Sequence, residues 1–520
     1  MKRRLTISRL DLLLGLLALV SVLVYVGVAA SFSEVGYPLD DAWIHQTYAR
    51  NLASTGQWAF VPGQVSSAST APLFTLLLTP AHILGISHFF WTFGLGVMAL
   101  WLAGSLNVRL AGQLWPGVPG ARLWTGVFTV LSWHHVWAAA SGMETMLFAA
   151  LALAMIWVTW TDAERLSKEA SARDMALRGL RAGLIGAALT LTRPEGVILV
   201  ALAGLSLLLA RGRAMRTRLR TVAPWGAGLL IGWLMICGPA MAWNWQVNGT
   251  LLPDTAAAKQ AEYAPVSEQW SLPERLFRIV IPLLASNLTP LLPSIPLSTA
   301  RLLSNPPPRP TKTLPLTWAI AHIAAYAWQP PANYQHGRYL IPTLPAFLLY
   351  GVGGTLALIQ QSKRTPAGRV ISRSLALSAL AVTAGFWAIG ARQYAQDVRI
   401  INTEMVATAK WIHANLPTDE LLAVHDIGAL GYFAPRPIFD LAGLVSPEVI
   451  PLFRNADGLM RLMCKRGVVY LMAMPDQRPV PPNDPRLGEV VFVTNAPYAP
   501  AAGGGNMAVY RMVWPEECNW

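Results

Sequence analysis

Long apolar runs alternate with short polar ones along this chain, and the runs set the architecture. A helix needs roughly 20 apolar residues to cross a bilayer. Candidates occupy residues 10–30, 71–86, 88–110, 122–140, 144–160, 180–192, 195–210, 222–243, 276–300, 314–328, 338–360 and 374–391. The segment 71–86 opens at Thr70-Ala71-Pro72-Leu73 beside the first outer loop, so it is expected to lie along the interface or to re-enter, which leaves eleven crossings. From residue 392 the period changes. Residues 396–415 read as an amphipathic helix, and 421–425, 468–472, 489–494 and 507–513 as strands. The predicted fold is a polytopic α-helical membrane protein over 1–391, with outer loops 31–70 and 246–275, followed by a small extracytoplasmic α/β domain over 392–520.

Composition supports this division. Of 520 residues, 54% are hydrophobic and only 13% charged, where a soluble domain carries about a quarter charged. A soluble protein is excluded. The net charge of +13 is not a nucleic-acid footprint, because the basic residues cluster between apolar runs: MKRR at the start, RGRAMRTRLR at 211–220, and Lys363, Arg364, Arg369 and Arg373. This is the positive-inside pattern. By contrast, 392–520 hold 13 acids against 11 bases and face outward with the N-terminus inside, as expected of a multi-pass protein of the cell (inner) membrane. A Pro-rich segment, 301–313, cannot continue a helix. Most of the 21 Trp are expected as interfacial anchors. Cys464 and Cys518 in the tail can form one bridge or remain two thiols.

The chemistry is expected on the outer side. The adjacent acids Asp40 and Asp41 follow the first span and precede a short amphipathic stretch carrying Trp43, Tyr48 and Leu52. Such a pair can serve as general base, or bind a divalent ion that orients a phosphate; Asp40 is also a natural N-cap. Helix geometry points the two about 100° apart. Only one can then face a groove, and Asp40, at the loop-to-helix junction, is the preferred base. Arg338 lies at the outer end of the span 338–360, flanked by His336 and Tyr339, where a lipid phosphate headgroup sits; interfacial snorkelling is the alternative. Lys259 in the outer loop is a second cation for phosphate, or is simply solvated. Glu144, between apolar segments at the outer edge, is a metal ligand or orienting acid, a cap, or a partner of Arg193. The turn Arg193-Pro194-Glu195-Gly196 breaks an apolar stretch into a hairpin, and His134-His135, divergent on a helix, read as structural.

The run Asp40-Asp41-Ala42-Trp43-Ile44, Tyr48-Ala49-Arg50-Asn51-Leu52-Ala53, Phe60-Val61-Pro62-Gly63 and Ser69-Thr70-Ala71-Pro72-Leu73 resembles the first outer loop of C-type glycosyltransferases. These multispan enzymes use polyprenyl-phosphate sugars and include mannosyl, arabinosyl and aminoarabinose transferases. Ser141-Gly142-Met143-Glu144-Thr145, Thr192-Arg193-Pro194-Glu195-Gly196, Leu252-Pro253-Asp254-Thr255 with Lys259, Gln335-His336-Gly337-Arg338-Tyr339-Leu340-Ile341-Pro342 and His425-Asp426-Ile427-Gly428-Ala429-Leu430-Gly431-Tyr432 continue the likeness in order. The aromatic-then-Arg pairing departs from the pattern, with Arg50 displaced from Thr47-Tyr48. The resemblance implies that the first-loop acid, Asp40 or Asp41, is base or metal ligand. It implies inverting transfer from a polyprenyl-phosphate donor to a hydroxyl of a glycan, lipid or protein acceptor on the outer face, with a divalent metal as possible cofactor. A lipid-linked sugar or substrate transporter without chemistry is the competing class. It is disfavoured because no internal repeat is evident and the five spans after 222 carry no acid.

Overall fold

The computed structural model describes residues 8–66, 69–166, 171–209, 215–251, 253–304, 310–328, 334–362 and 365–518. The MKRR start, Arg211 and Arg213, Leu252, residues 305–309 of the Pro-rich segment and the Lys363-Arg364 pair lie outside them. Among the described residues, six helical stretches are long and apolar enough to cross a membrane: Arg9–Phe32, His88–Leu114, Thr145–Leu166, Leu219–Asn248, Gln335–Ser362 and Pro366–Asn415. Shorter apolar helices, Pro72–Ile83, Ala121–Leu131 and Gly196–Leu208, pack among them.

Two expected spans are not continuous helices. The stretch 122–140 divides at Ser132 into Ala121–Leu131 and Trp133–Ala140. The stretch 276–300 becomes Leu272–Leu284, a 3-10 turn Thr289–Leu291 and Ser294–Ser304. Proline lacks the N–H that a continuing helix requires, and Pro290 and Pro293 fall where the helix would have to resume. Some tryptophans lie inside instead. Trp43, Trp137, Trp160, Trp225 and Trp318 are among the largest fully buried side chains. Two of these indoles bond acids, Trp137 Nε1 to Asp397 (2.9 Å) and Trp225 Nε1 to Asp162 (3.0 Å).

The last long helix, Pro366–Ile401, continues through a π-turn, Asn402–Val406, into Ala407–Asn415, so the expected amphipathic helix is an extension of the final span. Beyond it lies a five-stranded sheet. The chain's first two strands, β1 (Ala59–Val61) and β2 (Gln64–Val65), form a separate hairpin. The sheet uses β3 (Leu422–Val424), β4 (Ile438–Asp440), β5 (Tyr470–Ala473), β6 (Leu487–Val493) and β7 (Ala508–Met512) in the order β4-β3-β5-β7-β6. Here β3 runs parallel to β4 and β5, and β7 antiparallel to β5 and β6. The parallel pairs need crossover helices, supplied by Gly428–Phe433 and Ala456–Arg466. Strand β4 and both helices escaped the periodicity, because they are too short to display one. Cys464 at the end of Ala456–Arg466 is disulfide-bonded to Cys518.

Candidate active site

The helix Asp41–Thr55 lies directly after the first span and is almost wholly buried, covered by Pro72–Ile83 on one side and by Gly428–Phe433 on the other. Its N-terminus therefore sits at a junction of three parts of the chain. The two acids there go opposite ways. Asp40 does not cap its own helix. Its carboxylate accepts the backbone N–H of Gly428 (2.6 Å) and of Ala429 (2.8 Å), so it caps a helix of the α/β domain instead. Burial, and then the nearby Asp426 charge, push its pKa up to about 8.

Asp41 turns away from that helix and accepts a charge-assisted hydrogen bond from Arg338. Burial alone would raise its pKa, but Arg338 and then Lys259 hold it well below the ordinary carboxylate range. The opposed shifts of two adjacent acids are the pattern that divides labour between carboxylates.

Arg338 is delivered by a strained turn. Gln335, His336 and Gly337 all have left-handed backbones, with φ of 53°, 60° and 70°. Two consecutive non-glycine residues there cost of order 1–3 kcal/mol each and persist at sites that over-determine them. The turn sends neighbouring side chains to different places. Arg338 is 2% exposed and meets Asp41 and the Tyr339 hydroxyl (2.9 Å), while its Nε and Nη1 are buried without a hydrogen-bond partner among the described residues. His336, expected beside the phosphate, instead bonds Asp397 (2.8 Å) and packs edge-on against Trp133 and Trp137. Lys259, on helix Asp254–Gln269, donates to the Tyr339 hydroxyl, and its ammonium and the Arg193 and Arg338 guanidinia all lie within 5.0 Å of the Tyr339 ring centre.

Glu144 forms the floor of this cationic cluster. It accepts from Arg193 Nη1 (2.8 Å) and faces His45 Nε2 at 3.5 Å. Arg193 also binds Glu195 (2.6 Å) and the Tyr326 hydroxyl (2.7 Å), so the hairpin turn pairs internally and with Glu144 at once. Sequence reasoning missed His45 and Tyr326, whose roles depend on folding partners far along the chain. Truncating one partner of a buried ion pair leaves an uncompensated charge, at a cost of about 3–5 kcal/mol. Arg193→Ala, which strands both Glu144 and Glu195, is expected to lower thermal stability in detergent by an amount of that order, and Arg193→Ala,Glu144→Gln,Glu195→Gln to recover part of it. Arg50 lies outside this cluster, donating to the Tyr432 (2.6 Å) and Gly431 (3.1 Å) carbonyls.

Two cavities meet at Asp41. The smaller, about 280 Å³, is lined by Glu144, Arg193, Tyr326, Lys259, Arg338 and Tyr339. The larger, about 910 Å³, lies between the N-terminus of Asp41–Thr55, helix Asp254–Gln269 and the α/β domain, with His425, Asp426 and Gln477 on its far wall. Asp41, Ile44, Lys259 and Leu444 line both. The small cavity carries three cations, Arg193, Lys259 and Arg338, whereas the large one is lined by acids, amides and His425 as well. The acids do not fit a bound divalent cation: Asp40 is committed to backbone N–H groups, Asp41 to Arg338 and Glu144 to Arg193. Among the described residues, no three His, Cys, Asp or Glu side chains converge as a metal site requires.

The fold has parallels among solved structures. The crystal structure of ArnT from Cupriavidus metallidurans bound to undecaprenyl phosphate superposes with a TM-score of 0.57 at 14% identity, over 96% of this chain and 98% of that one. This is the C-type glycosyltransferase fold. The oligosaccharyltransferase AglB from Archaeoglobus fulgidus, in complex with an inhibitory peptide and a dolichol-phosphate, has it as well, with a TM-score of 0.55 at 11% identity over 88% of this chain and 69% of that one. A further structure of the Archaeoglobus enzyme is a complex with zinc and sulfate, with a TM-score of 0.53 at 12% identity over 88% of this chain and 68% of that one. In sequence, residues 391–510 match a family described as a domain of unknown function, DUF8728. No curated protein matches the sequence. The C-type fold thus extends over 96% of the chain, whereas the sequence family covers only residues 391–510.

Proposed function

We propose that this chain is a membrane glycosyltransferase that moves a sugar, with inversion, from a polyprenyl-phosphate donor to an acceptor hydroxyl. The single observation that carries the reading is Asp41, among the described residues the one carboxylate that lines both the smaller cavity, which carries Arg193, Arg338 and Lys259, and the larger one. The C-type fold, seen with undecaprenyl phosphate in ArnT and dolichol-phosphate in AglB, supports the donor class.

The chemistry follows from the residues. The donor phosphate takes the small cavity, with Arg338 and Lys259 on its oxygens and the polyprenyl tail in the bilayer. The acceptor oxygen attacks the anomeric carbon from the opposite face, the C–O bond to phosphate breaks, and polyprenyl phosphate leaves with the electron pair. The phosphate is already a good leaving group, so fixed positive charge suffices there, while the acceptor proton passes to Asp41. An incoming phosphate competes for Arg338, and Asp41, losing its counter-charge, becomes the stronger base as the donor settles. Glu144 acts through Arg193, and Tyr339 holds Arg338 and Lys259 in place.

The Cys464–Cys518 disulfide suits an oxidising compartment and supports an outward-facing α/β domain from about residue 392, with the Asp40 loop on the same side. Membrane-impermeant thiol labelling of cysteines introduced at Thr55 and Ala502 in intact cells is expected to mark both; labelling only after lysis contradicts this orientation. The activity itself is tested by incubating the purified chain in nanodiscs with undecaprenyl-phosphate sugars and an outer-membrane extract. Release of undecaprenyl phosphate with transfer of label to the extract is expected. Saturable binding of the lipid without release for any sugar points to the transporter class instead.

A further inference from the structure

One short helix of the α/β domain, Gly428–Phe433, is gripped at both ends by the helix bearing Asp41. At its start, Asp40 accepts the N–H groups of Gly428 and Ala429; at its end, Arg50 donates to the carbonyls of Gly431 and Tyr432. These are the groups that a helix leaves unpaired at its termini. Trp43 fills the space between, with ring centres 4.9 Å from Tyr432 and 4.7 Å from Phe433. The approach is so close that a Cβ on Gly428 would lie 2.0 Å from the Asp40 carbonyl oxygen, and one on Gly431 2.2 Å from Phe60. Both glycines belong to the run His425-Asp426-Ile427-Gly428-Ala429-Leu430-Gly431. Immediately before the gripped helix, His425 Nδ1 meets Asp426 (3.1 Å), whose other oxygen accepts from Gln477 (2.8 Å). All three line the large cavity that Asp41 also lines.

We propose that Asp40 and Arg50 are positioning residues, a two-point clamp that holds the His425-Asp426-Gln477 wall of the α/β domain opposite Asp41, and that this wall is the acceptor-facing half of the site. The clamp rests on geometry alone; the task given to the wall rests on the transferase reading above. The acid pair at the start of the helix is thereby divided between one acid that reacts and one that sets the distance to the opposite wall. The chain of hydrogen bonds from Gln477 through Asp426 to His425 fixes the wall's polar groups in one orientation, as recognition of a hydroxyl-bearing acceptor requires.

Hydrogen exchange and kinetics on the full chain in nanodiscs test this together. In Asp40→Ala and Arg50→Ala, exchange at residues 425–433 is expected to rise at least tenfold, with undecaprenyl phosphate, used as the binding probe, held within about threefold of the parent affinity. Transfer from whichever undecaprenyl-phosphate sugar the parent turns over is expected to fall at least tenfold in kcat with donor KM unchanged. Asp40→Asn, which keeps one accepting oxygen but sets an NH₂ against the second N–H, is expected to fall between, and it and Arg50→Lys serve if the alanine variants do not fold. Asp426→Asn is expected to leave exchange at Gly428 and Ala429 protected while lowering kcat. Unchanged exchange in all clamp variants overturns the proposal, as does raised exchange with parent-like transfer. A parent chain that neither binds the probe nor transfers sugar removes the transferase reading and the wall's task with it, whereas a parent that transfers beside clamp variants that do so equally well overturns this inference alone.

Discussion

Asp41→Asn is expected to lower glycosyl transfer by about 10² to 10⁴-fold, the loss typical of removing a general base, with expression retained and undecaprenyl phosphate affinity kept or raised, since the phosphate no longer competes with a carboxylate for Arg338. Asparagine keeps the shape and one acceptor for Arg338, so the fold has no reason to change, but it cannot take the acceptor proton. Because Arg338 and Lys259 hold the Asp41 pKa below the ordinary range, the carboxylate is ionised throughout the neutral and mildly acidic range. The sign follows: a base with a depressed pKa loses activity only as pH falls through that low value, so kcat/KM is expected to show no Asp41-dependent decline between about pH 5 and 7. Asp40→Asn is the informative contrast. Asp40 also borders the larger cavity, but both its oxygens are taken up by backbone N–H groups of the α/β domain, so its replacement is expected to cost less than that of Asp41. Parent-like transfer by Asp41→Asn, with Asp40→Asn inactive, would return the catalytic role to Asp40.

Arg338→Ala is expected to weaken undecaprenyl phosphate binding by about 10- to 100-fold, equivalent to the net loss of one hydrogen bond to a charged group at about 1.5–3 kcal/mol, and to lower transfer further still. Two effects combine there. The leaving phosphate loses a guanidinium whose Nε and Nη1 have no hydrogen-bond partner among the described residues, and Asp41 loses the counter-charge that orients it. Arg338→Lys keeps the charge but not the planar fork and is expected to restore binding more than turnover. Titration of the lipid phosphate against each variant in nanodiscs, followed by intrinsic tryptophan fluorescence, checks the order parent, Lys, Ala. Equal affinities across the three would detach Arg338 from the phosphate.

Much of this was legible in the chain, and the failures have physical causes. Hydropathy identifies apolar runs but not their continuity, so 276–300 read as one span although prolines divide it into three elements. The residues now placed around the site, Asp41, Glu144, Lys259 and Arg338, stand out because ionisable groups at a membrane edge are costly and rarely idle. Their division of labour does not show in sequence. Asp40 and Asp41 separate because backbone amides 388 and 389 residues away claim one of them, a fact that no local pattern contains. His336 misled for a similar reason: proximity to Arg338 in sequence suggested a shared ligand, but the left-handed turn from Gln335 to Gly337 sends it to Asp397. The tryptophans looked like interfacial anchors because composition cannot distinguish an indole at the bilayer rim from one buried against Asp162 or Asp397.

The most direct test of the account is a structure of this chain with undecaprenyl phosphate bound. The phosphate is expected in the cavity of about 280 Å³, its oxygens on Arg338 and Lys259, with the guanidinium drawn away from Asp41 and that carboxylate open to the larger cavity. A phosphate held elsewhere, with the Arg338–Asp41 pair undisturbed, would contradict it.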